Sequence, residues 1–159
     1  MTLILINFFR LEPDQTLATK RLAGHKKNKE RLSLALCANA DGSHKLNPYV
    51  IGKYAKPRCF NNVNIHNLPV IYRNNTKAWM LSSLFQEWLQ YFDREVANKH
   101  GGRNVLLLVD NCPCHKLTGL VLSHVNVHFF PPNTTAKIQP MDAGIIMAFK
   151  RHYRRYQIS

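Results

Sequence analysis

Acidic residues are scarce in this sequence. Nine Asp and Glu stand against 22 Lys and Arg in 159 residues, which gives a formal net charge of +13 at pH 7 with His neutral. A positive surplus of this size favours polyanionic partners, of which nucleic acid is the commonest. A basic protein that is merely soluble is the alternative, and charge alone does not decide between the two. Because acids are so few, the position of each one is informative.

Paired cysteines and long apolar runs are also missing. The four cysteines, Cys37, Cys59, Cys112 and Cys114, form no Cys-x-x-Cys pair and follow no secretory signal. A disulfide framework is therefore not expected, and the predicted compartment is reducing. The apolar residues 3–6 are too few to span a membrane and lack the flanks of a signal peptide. We expect a strand there and no membrane partner.

No low-complexity tract interrupts the chain. Its composition is 45% hydrophobic and 10% aromatic, which argues against disorder and for a packed interior. A chain of this length buries roughly 68 to 70% of the surface that its unfolded form exposes. The sequence therefore predicts a single domain over residues 1–159.

The first half of the chain is predicted to form strands. Residues 2–9 are a continuous apolar run, and residues 31–40 and 45–53 flank Asp41-Gly42, a strong tight-turn signal. These two runs are predicted to form a hairpin. A further short strand is expected at residues 70–72.

The second half combines helices with buried strands. Apolar residues recur at helical spacing over 81–96, with Ser83 and Gln86 as a possible capping box and Gly101-Gly102 after the last turn. Two apolar runs and a final helical pattern follow, and the first run is expected to be covered by helices on both faces. The order of elements predicts an α/β fold; these last three segments are 105–109, 125–130 and 143–156.

Two of the nine acids follow or precede predicted elements where ligands bind in open α/β sheets. Asp110 directly follows the buried strand at its carboxyl end, and Asp142 opens the last helix. Carboxylates in such a crevice are hard oxygen ligands that suit Mg²⁺. The alternatives are an ordinary Asp110-Asn111 turn and an ordinary helix N-cap at Asp142.

The segment Cys112-Pro113-Cys114-His115 supplies three potential zinc ligands in four residues. Structural zinc sites usually pair such ligands with a second pair elsewhere, and no matching pair is evident in the sequence. We do not expect zinc.

Basic residues cluster in one loop and in the final helix. Phosphate contacts by such residues would give a salt-dependent affinity for nucleic acid, whereas a solvated loop and a cationic helix end that complements the helix dipole are the alternatives. The predicted nucleic-acid contacts are Lys26, Lys27, Lys29, Arg31, Lys150, Arg151, Arg154 and Arg155.

Several segments, taken together in this order, resemble one known family over residues 8–156. The sequence is similar to the DDE superfamily endonuclease domain of pogo/Tigger-like transposases, relatives of the centromere protein B and jerky proteins. The matching segments are 24–36, 39–42, 44–46, 50–53, 57–58, 78–80, 107–111, His115, 130–135 and 138–146.

This resemblance implies an RNase H-like mixed sheet flanked by helices, in which three aspartates bind two Mg²⁺ or Mn²⁺ ions. By its motifs the second and third aspartates correspond to Asp110 and Asp142, which are then both catalytic and metal-binding. The first corresponds to a position near Leu3, where residues 1–7 contain no acid. The first strand is accordingly predicted to be incomplete and the first ligand missing.

The function that the resemblance implies is DNA binding in the nucleus by a transposase-derived domain that is catalytically inactive. No small-molecule substrate is expected, metal binding is expected to be weak or absent, and the family's helix-turn-helix reader is not expected in this chain. Two alternatives stay open at this point. One is an active endonuclease whose triad is completed by an unrecognised acid or a mis-assigned start, and the other is a non-functional remnant.

Overall fold

The computed structural model of the protein describes residues 1–9, 31–131 and 144–158, with the backbone alone for residues 3–9 and 157–158. The elements in chain order are β1 Thr2–Phe9, β2 Arg31–Ala38, β3 Tyr49–Gly52, two 3₁₀ turns at Arg58–Phe60 and Ile65–Asn67, β4 Ile71–Asn74, α1 Ser82–His100, β5 Val105–Val109, β6 Val125–Phe129 and α2 Ile145–Ile158. The mixed α/β class predicted from the sequence is confirmed.

Within the described ranges, six strands form one mixed sheet in the order β4-β3-β2-β1-β5-β6. Strand β1 pairs antiparallel with β2 at all eight of its positions, and β2 pairs antiparallel with β3. The remaining pairs, β3 with β4, β1 with β5 and β5 with β6, are parallel. The sheet is therefore antiparallel across β3, β2 and β1 and parallel towards both of its edges.

The contact between β1 and β5 lies at the amino end of β1. Thr2 is level with Leu108, the Met1 amino group donates to the Leu106 carbonyl at 2.6 Å, and the Leu108 N–H donates to the Met1 carbonyl at 2.8 Å. Strand β1 itself is eight residues long, as expected from residues 2–9. That this first strand is incomplete stays a prediction.

The hairpin formed by β2 and β3 confirms the turn signal at Asp41-Gly42. Gly42 has φ +71°, which favours glycine, and Asp41 accepts from the Ser43 N–H at 3.0 Å. The second strand is shorter than expected, since it begins at Tyr49 and only an isolated bridge forms at Lys45.

Helix α1 covers one face of the sheet and carries the predicted apolar stripe. Phe85, Trp88, Leu89, Phe92 and Val96 are all buried, and their cluster includes the inward residues of β2, β3 and β5. The Trp88 and Phe92 rings stack with centroids 5.4 Å apart, an arrangement worth about 0.5–1.5 kcal/mol beyond its buried area. This cluster is the main core of the domain.

The two ends of α1 differ from each other in how well the sequence predicted them. Gly101 has φ +59° and its N–H bonds the Ala97 carbonyl, so the glycine stop is confirmed. The capping box is wrong, because the helix begins at Ser82 with no side-chain cap. The Gln86 amide instead donates to the carbonyls of Lys116 and Thr118, at 3.2 Å each.

Helix α2 packs on the opposite face of the sheet. Its Ile146 and Phe149 join Leu34, Leu36 and Val50, side chains that alternate with those facing α1. On this face of β5, Leu106 is 54% exposed, and within the described ranges α2 does not cover it. The expectation that helices cover both faces of β5 is therefore wrong, because α2 docks over β2 and β3.

No helix in the described part of the chain is long and apolar enough to cross a membrane.

Candidate metal centre and nucleic-acid interface

Asp110 directly follows β5, at the carboxyl end of a strand whose last residue, Val109, is fully buried. The buried strand fixes the backbone, and the carboxylate emerges at the sheet edge with 35% of its side chain exposed. Thr2 of β1 is level with Leu108 of β5 in a parallel pair, so the next residues of β1, Leu3 and Ile4, run in the same direction as the end of β5 and Asp110. The position to which the resemblance assigns the first aspartate is thus next to the end of β5.

His115 holds the Asp110 carboxylate in place. Its Nδ1 lies 2.8 Å from Asp110 Oδ1 and 3.1 Å from the Asp110 carbonyl oxygen. Both oxygens are acceptors, so Nδ1 carries the hydrogen and donates to them. The side chain of His115 is 1% exposed, and its ring centroid is 4.3 Å from that of Phe85. The packed ring therefore orients Asp110 from beneath.

This role of His115 was missed in the sequence, where the residue was considered as a potential zinc ligand and as one of the positions that match the family. Its other ring nitrogen, Nε2, is buried and has no hydrogen-bond partner among the residues that the structure describes. The signal that could have found the contact is the spacing of five residues from Asp110, within a short loop that returns to the end of β5. Sequence spacing alone does not show that this loop closes.

The two loop cysteines do not complete a metal site with His115. The sulfurs of Cys112 and Cys114 are 3.0 Å apart, and burial raises the pKa of the Cys114 thiol to about 12. Within residues 1–9, 31–131 and 144–158, no three His, Cys, Asp or Glu side chains are arranged to hold a metal ion.

Asp110 by itself fits one carboxylate position of a divalent metal site. It is a hard oxygen ligand, it is partly open to solvent, and only one of its oxygens is engaged by His115. The second predicted ligand, Asp142, lies outside the described residues. Strand β1, beside Asp110, contains no acid between Thr2 and Phe9.

The predicted nucleic-acid contacts fall in three places. Lys26, Lys27 and Lys29 lie outside the described residues. Arg31 begins β2, where its guanidinium stands 4.4 Å over the Trp79 ring and its Nε donates to the Lys77 carbonyl at 3.3 Å.

The remaining predicted contacts lie on α2. Ile146 and Phe149 anchor the first turns of this helix to the sheet. Beyond them Arg151, Arg154 and Arg155 are exposed, and Lys150 is partly buried. The amino-terminal half of α2 is therefore packed on the sheet, and its cationic carboxyl-terminal half is exposed to solvent.

A groove that the sequence did not suggest lies between α2 and the β3–β4 edge. Its volume is about 960 Å³, and it extends from Arg31 along the segment that follows β3 to Tyr153 on α2. Four of the side chains that line it are cationic, namely Arg31, Lys53, Lys56 and Arg58.

Comparison with known proteins agrees with these observations. The family model described as "DDE superfamily endonuclease" matches residues 29–159. The human "Tigger transposable element-derived protein 7" is 40% identical over 95% of this chain and 30% of its own length. The mouse "Tigger transposable element-derived protein 4" is 36% identical over 92% of this chain and 28% of its own length. The human "Major centromere autoantigen B" is 39% identical over 79% of this chain and 20% of its own length.

The chain thus spans less than a third of the length of each of these relatives. No solved structure matches it. The family match covers most of the sequence, including β2 to β6, Asp110 and α2. The chain belongs to the DDE superfamily endonuclease family.

Proposed function

We propose that this chain is a transposase-derived DNA-binding domain that does not cleave DNA. One observation carries the proposal: β1 pairs parallel with β5 at Thr2 and Leu108, two residues before Asp110, and β1 contains no acid from Thr2 to Phe9 that could bind a metal. Cleavage of a phosphodiester by two metal ions needs both ions to be held. With Asp110 and Asp142 as the remaining acids, Mg²⁺ or Mn²⁺ would bind weakly.

The DNA-binding part of the proposal is supported by the charge of the described surface. Three arginines of α2 are exposed on a helix whose first turns are packed on the sheet through Ile146 and Phe149. Each phosphate that they neutralise would release counterions and make binding salt-dependent. Nuclear residence belongs to the same proposal and is supported by the net charge of +13.

An RNase H-like arrangement of the sheet is also part of this proposal. Its support is the mixed topology, in which β1 pairs antiparallel on one side and parallel on the other, with a helix on each face. In this arrangement Asp110 and the residue near Leu3 lie on adjacent strands, as two ligands of one site would.

A second candidate, a metal-dependent DNA endonuclease, is favoured by the contact between His115 and Asp110. A buried histidine that orients a carboxylate at a sheet edge is typical of a metal ligand held by its neighbours. This candidate requires a third acidic residue, and positions 3 and 4 of β1 do not supply one.

The test is a plasmid assay with Mg²⁺ or Mn²⁺ at two salt concentrations, beside an Asp110→Asn control. We expect the plasmid to be retained at low salt, released at high salt and never nicked. Nicking that disappears in the control would overturn the proposal in favour of the endonuclease. A chain that neither retains DNA nor unfolds cooperatively would also overturn it and leave a non-functional remnant.

The DNA surface is tested by charge-matched variants. Arg151, Arg154 and Arg155 are changed together to Gln, and a control changes Arg94, Lys99 and Arg103 to Gln, with the same loss of three charges. If the α2 arginines contact phosphates, the slope of log K against log salt falls by about 2 to 3 units, since each contact contributes about 0.9. The control is expected to change the slope much less. Equal effects would contradict a defined surface on α2.

The assignment of the first ligand is tested by restoring an acid on β1. Adjacent strand residues face opposite sides of a sheet, so Leu3→Asp and Ile4→Asp are compared. We expect one of the two to raise Mn²⁺ affinity in the presence of Asp110 and not in Asp110→Asn. If neither does, this position on β1 is not that of the missing ligand.

A further inference from the structure

The groove between α2 and the β3–β4 edge has an uneven distribution of charge. Its lining includes four cations, and no Asp or Glu is among the described residues that line it. Lys53, Lys56 and Arg58 have no carboxylate within ion-pair distance in the part of the chain that the structure describes, whereas Arg73 outside the groove pairs with Glu87. Cations gathered in one concavity repel each other unless an anion enters. The groove therefore suits a polyanionic ligand.

Aromatic rings form much of the remaining surface. Phe60 and Tyr72 meet edge to face with centroids 4.9 Å apart. The Tyr72 hydroxyl donates to the Tyr54 carbonyl at 2.6 Å, which ties the segment after β3 to β4. Tyr54 is 51% exposed, and Lys53 Nζ lies 5.2 Å from its ring centroid. The Tyr54 ring is thus exposed to solvent beside a cation.

A second exposed aromatic ring beside a cation lies next to the groove, where Arg31 contacts Trp79. Trp79 is 48% exposed, and the Arg31 guanidinium lies over its ring. Its loop is held by Asn75, whose Oδ1 accepts from the backbone of Lys77 and Trp79 and whose Nδ2 donates to the Trp79 carbonyl at 2.7 Å. Side-chain hydrogen bonds of this kind keep an exposed ring in position. Arg31 connects this ring to the groove.

Proteins bind single-stranded nucleic acid through a row of cations that contacts its phosphate backbone and through solvent-exposed aromatic rings on which its bases stack. A duplex keeps its base faces stacked inside, so only an unpaired strand can use the rings. We infer that the groove binds a single-stranded segment of DNA, with Lys53, Lys56 and Arg58 contacting phosphates and Tyr54 stacking on a base. This inference rests on the proposed DNA binding and adds the form of the DNA and its contact surface.

The groove is separate from the candidate metal centre. Arg31 is level with Phe9 on β1, whereas Leu108 is level with Thr2, seven residues away, and Asp110 follows Leu108 by two residues in the direction of Phe9. At about 3.4 Å per residue and about 4.8 Å per strand, Arg31 and Asp110 are roughly 20 Å apart. Changes in the groove can therefore be made without altering the contact between His115 and Asp110.

The first test measures the affinity for a 20-nucleotide oligo(dT) and for a blunt duplex of equal length by fluorescence anisotropy. Lys56→Gln/Arg58→Gln is compared with Lys99→Gln/Arg103→Gln, which removes the same charge elsewhere. We expect the groove pair to lower the salt slope for oligo(dT) by about 1.4, at about 0.7 per contact, and the control pair to lower it by much less. Tyr54→Ala should weaken oligo(dT) binding by about fivefold to 150-fold and duplex binding little.

The second test uses the unaltered chain and the thiol of Cys59, which is exposed in the groove. Saturating oligo(dT) should slow its modification by a maleimide, measured by mass spectrometry, and should leave Cys112 and Cys114 unaffected. An equal rate with and without oligo(dT) would overturn the inference, whatever the variants do.

The outcomes separate this inference from the proposed function. Suppose that duplex binding is salt-dependent and needs the α2 arginines, and that the groove variants have no effect. This result would overturn the inference that the groove binds single-stranded DNA and leave the DNA-binding proposal intact. Absence of binding to either DNA would overturn both. Tighter binding of oligo(U) than of oligo(dT) would overturn DNA as the ligand of the groove.

Discussion

Replacing Gly52 with alanine tests the packing that shapes the floor of the groove. Gly52 ends β3 and is buried, and its φ lies outside the left-handed region, so backbone strain is not the reason for glycine. A Cβ at this position would overlap the Tyr72 hydroxyl and would lie 2.9 Å from Tyr72 Cζ. Strand β4 runs parallel to β3 with Tyr72 level with Val50, two residues before Gly52, so Tyr72 and Gly52 are diagonal neighbours. Gly52→Ala must therefore displace the Tyr72 ring.

The expected cost follows from three contributions. Overpacking of a tight contact costs about 1–3 kcal/mol. Displacing the Tyr72 ring also breaks its hydrogen bond to the Tyr54 carbonyl, which contributes about 1 kcal/mol. Alanine in a strand recovers about 0.5–1 kcal/mol of the conformational entropy that glycine loses. The sum is a destabilisation of about 2 kcal/mol, which would lower a urea midpoint by about 1 M if the slope is about 2 kcal/mol per M.

A double-mutant cycle isolates the cause. Tyr72→Leu removes the ring, and in that background we expect Gly52→Ala to cost less than about 0.5 kcal/mol, because the clash is gone. Tyr72→Phe removes only the hydroxyl and should give partial relief, since Cζ still lies close. The measurement is urea unfolding of the four chains of each cycle. If Gly52→Ala cost the same with Tyr, Phe and Leu at position 72, the close approach of the Tyr72 ring to Gly52 would be refuted.

Three further predictions concern ionisable groups. Burial lowers the pKa of His44 below 6.5, so between pH 6.5 and the lowered pKa the unfolded chain takes up a proton at this residue and the folded chain does not. The free energy of unfolding, measured in urea from pH 7.5 to 5, should therefore decrease as the pH is lowered. The decrease should be less steep in His44→Gln. The Arg73–Glu87 pair is about 40% exposed, so a double-mutant cycle should give a coupling of only about 0.2–1 kcal/mol. Asp110→Asn keeps an acceptor for His115, so in thermal unfolding it should retain more stability than Asp110→Ala, by about 1 kcal/mol.

The elements predicted best are those whose signals are local. The stripe of α1 and its glycine stop are confirmed because helical spacing and a left-handed residue leave a direct trace in the sequence. The hairpin turn at Asp41-Gly42 is confirmed for the same reason. Asp110 at the end of β5 likewise follows from the apolar run that precedes it.

The incorrect predictions concern contacts with segments that are distant in the sequence. Gln86 was expected to cap its own helix, but two loop carbonyls 30 and 32 residues away bind its amide. The exposed face of β5 at Leu106 was expected to be covered, since an apolar run does not show over which strands a helix docks. Propensity and periodicity describe a segment, and they do not identify its neighbours.

The sequence by itself determined the α/β class, the net positive charge, the position of Asp110 after a strand and the family. These properties depend on composition, periodicity and ordered motifs, all of which are linear. Only the tertiary structure decided that His115 orients Asp110, that β1 pairs with β5 two residues before Asp110, and that the segment after β3 lines a groove under α2. These arrangements depend on strand order and helix docking, because contacts between distant segments form only when the sheet is assembled.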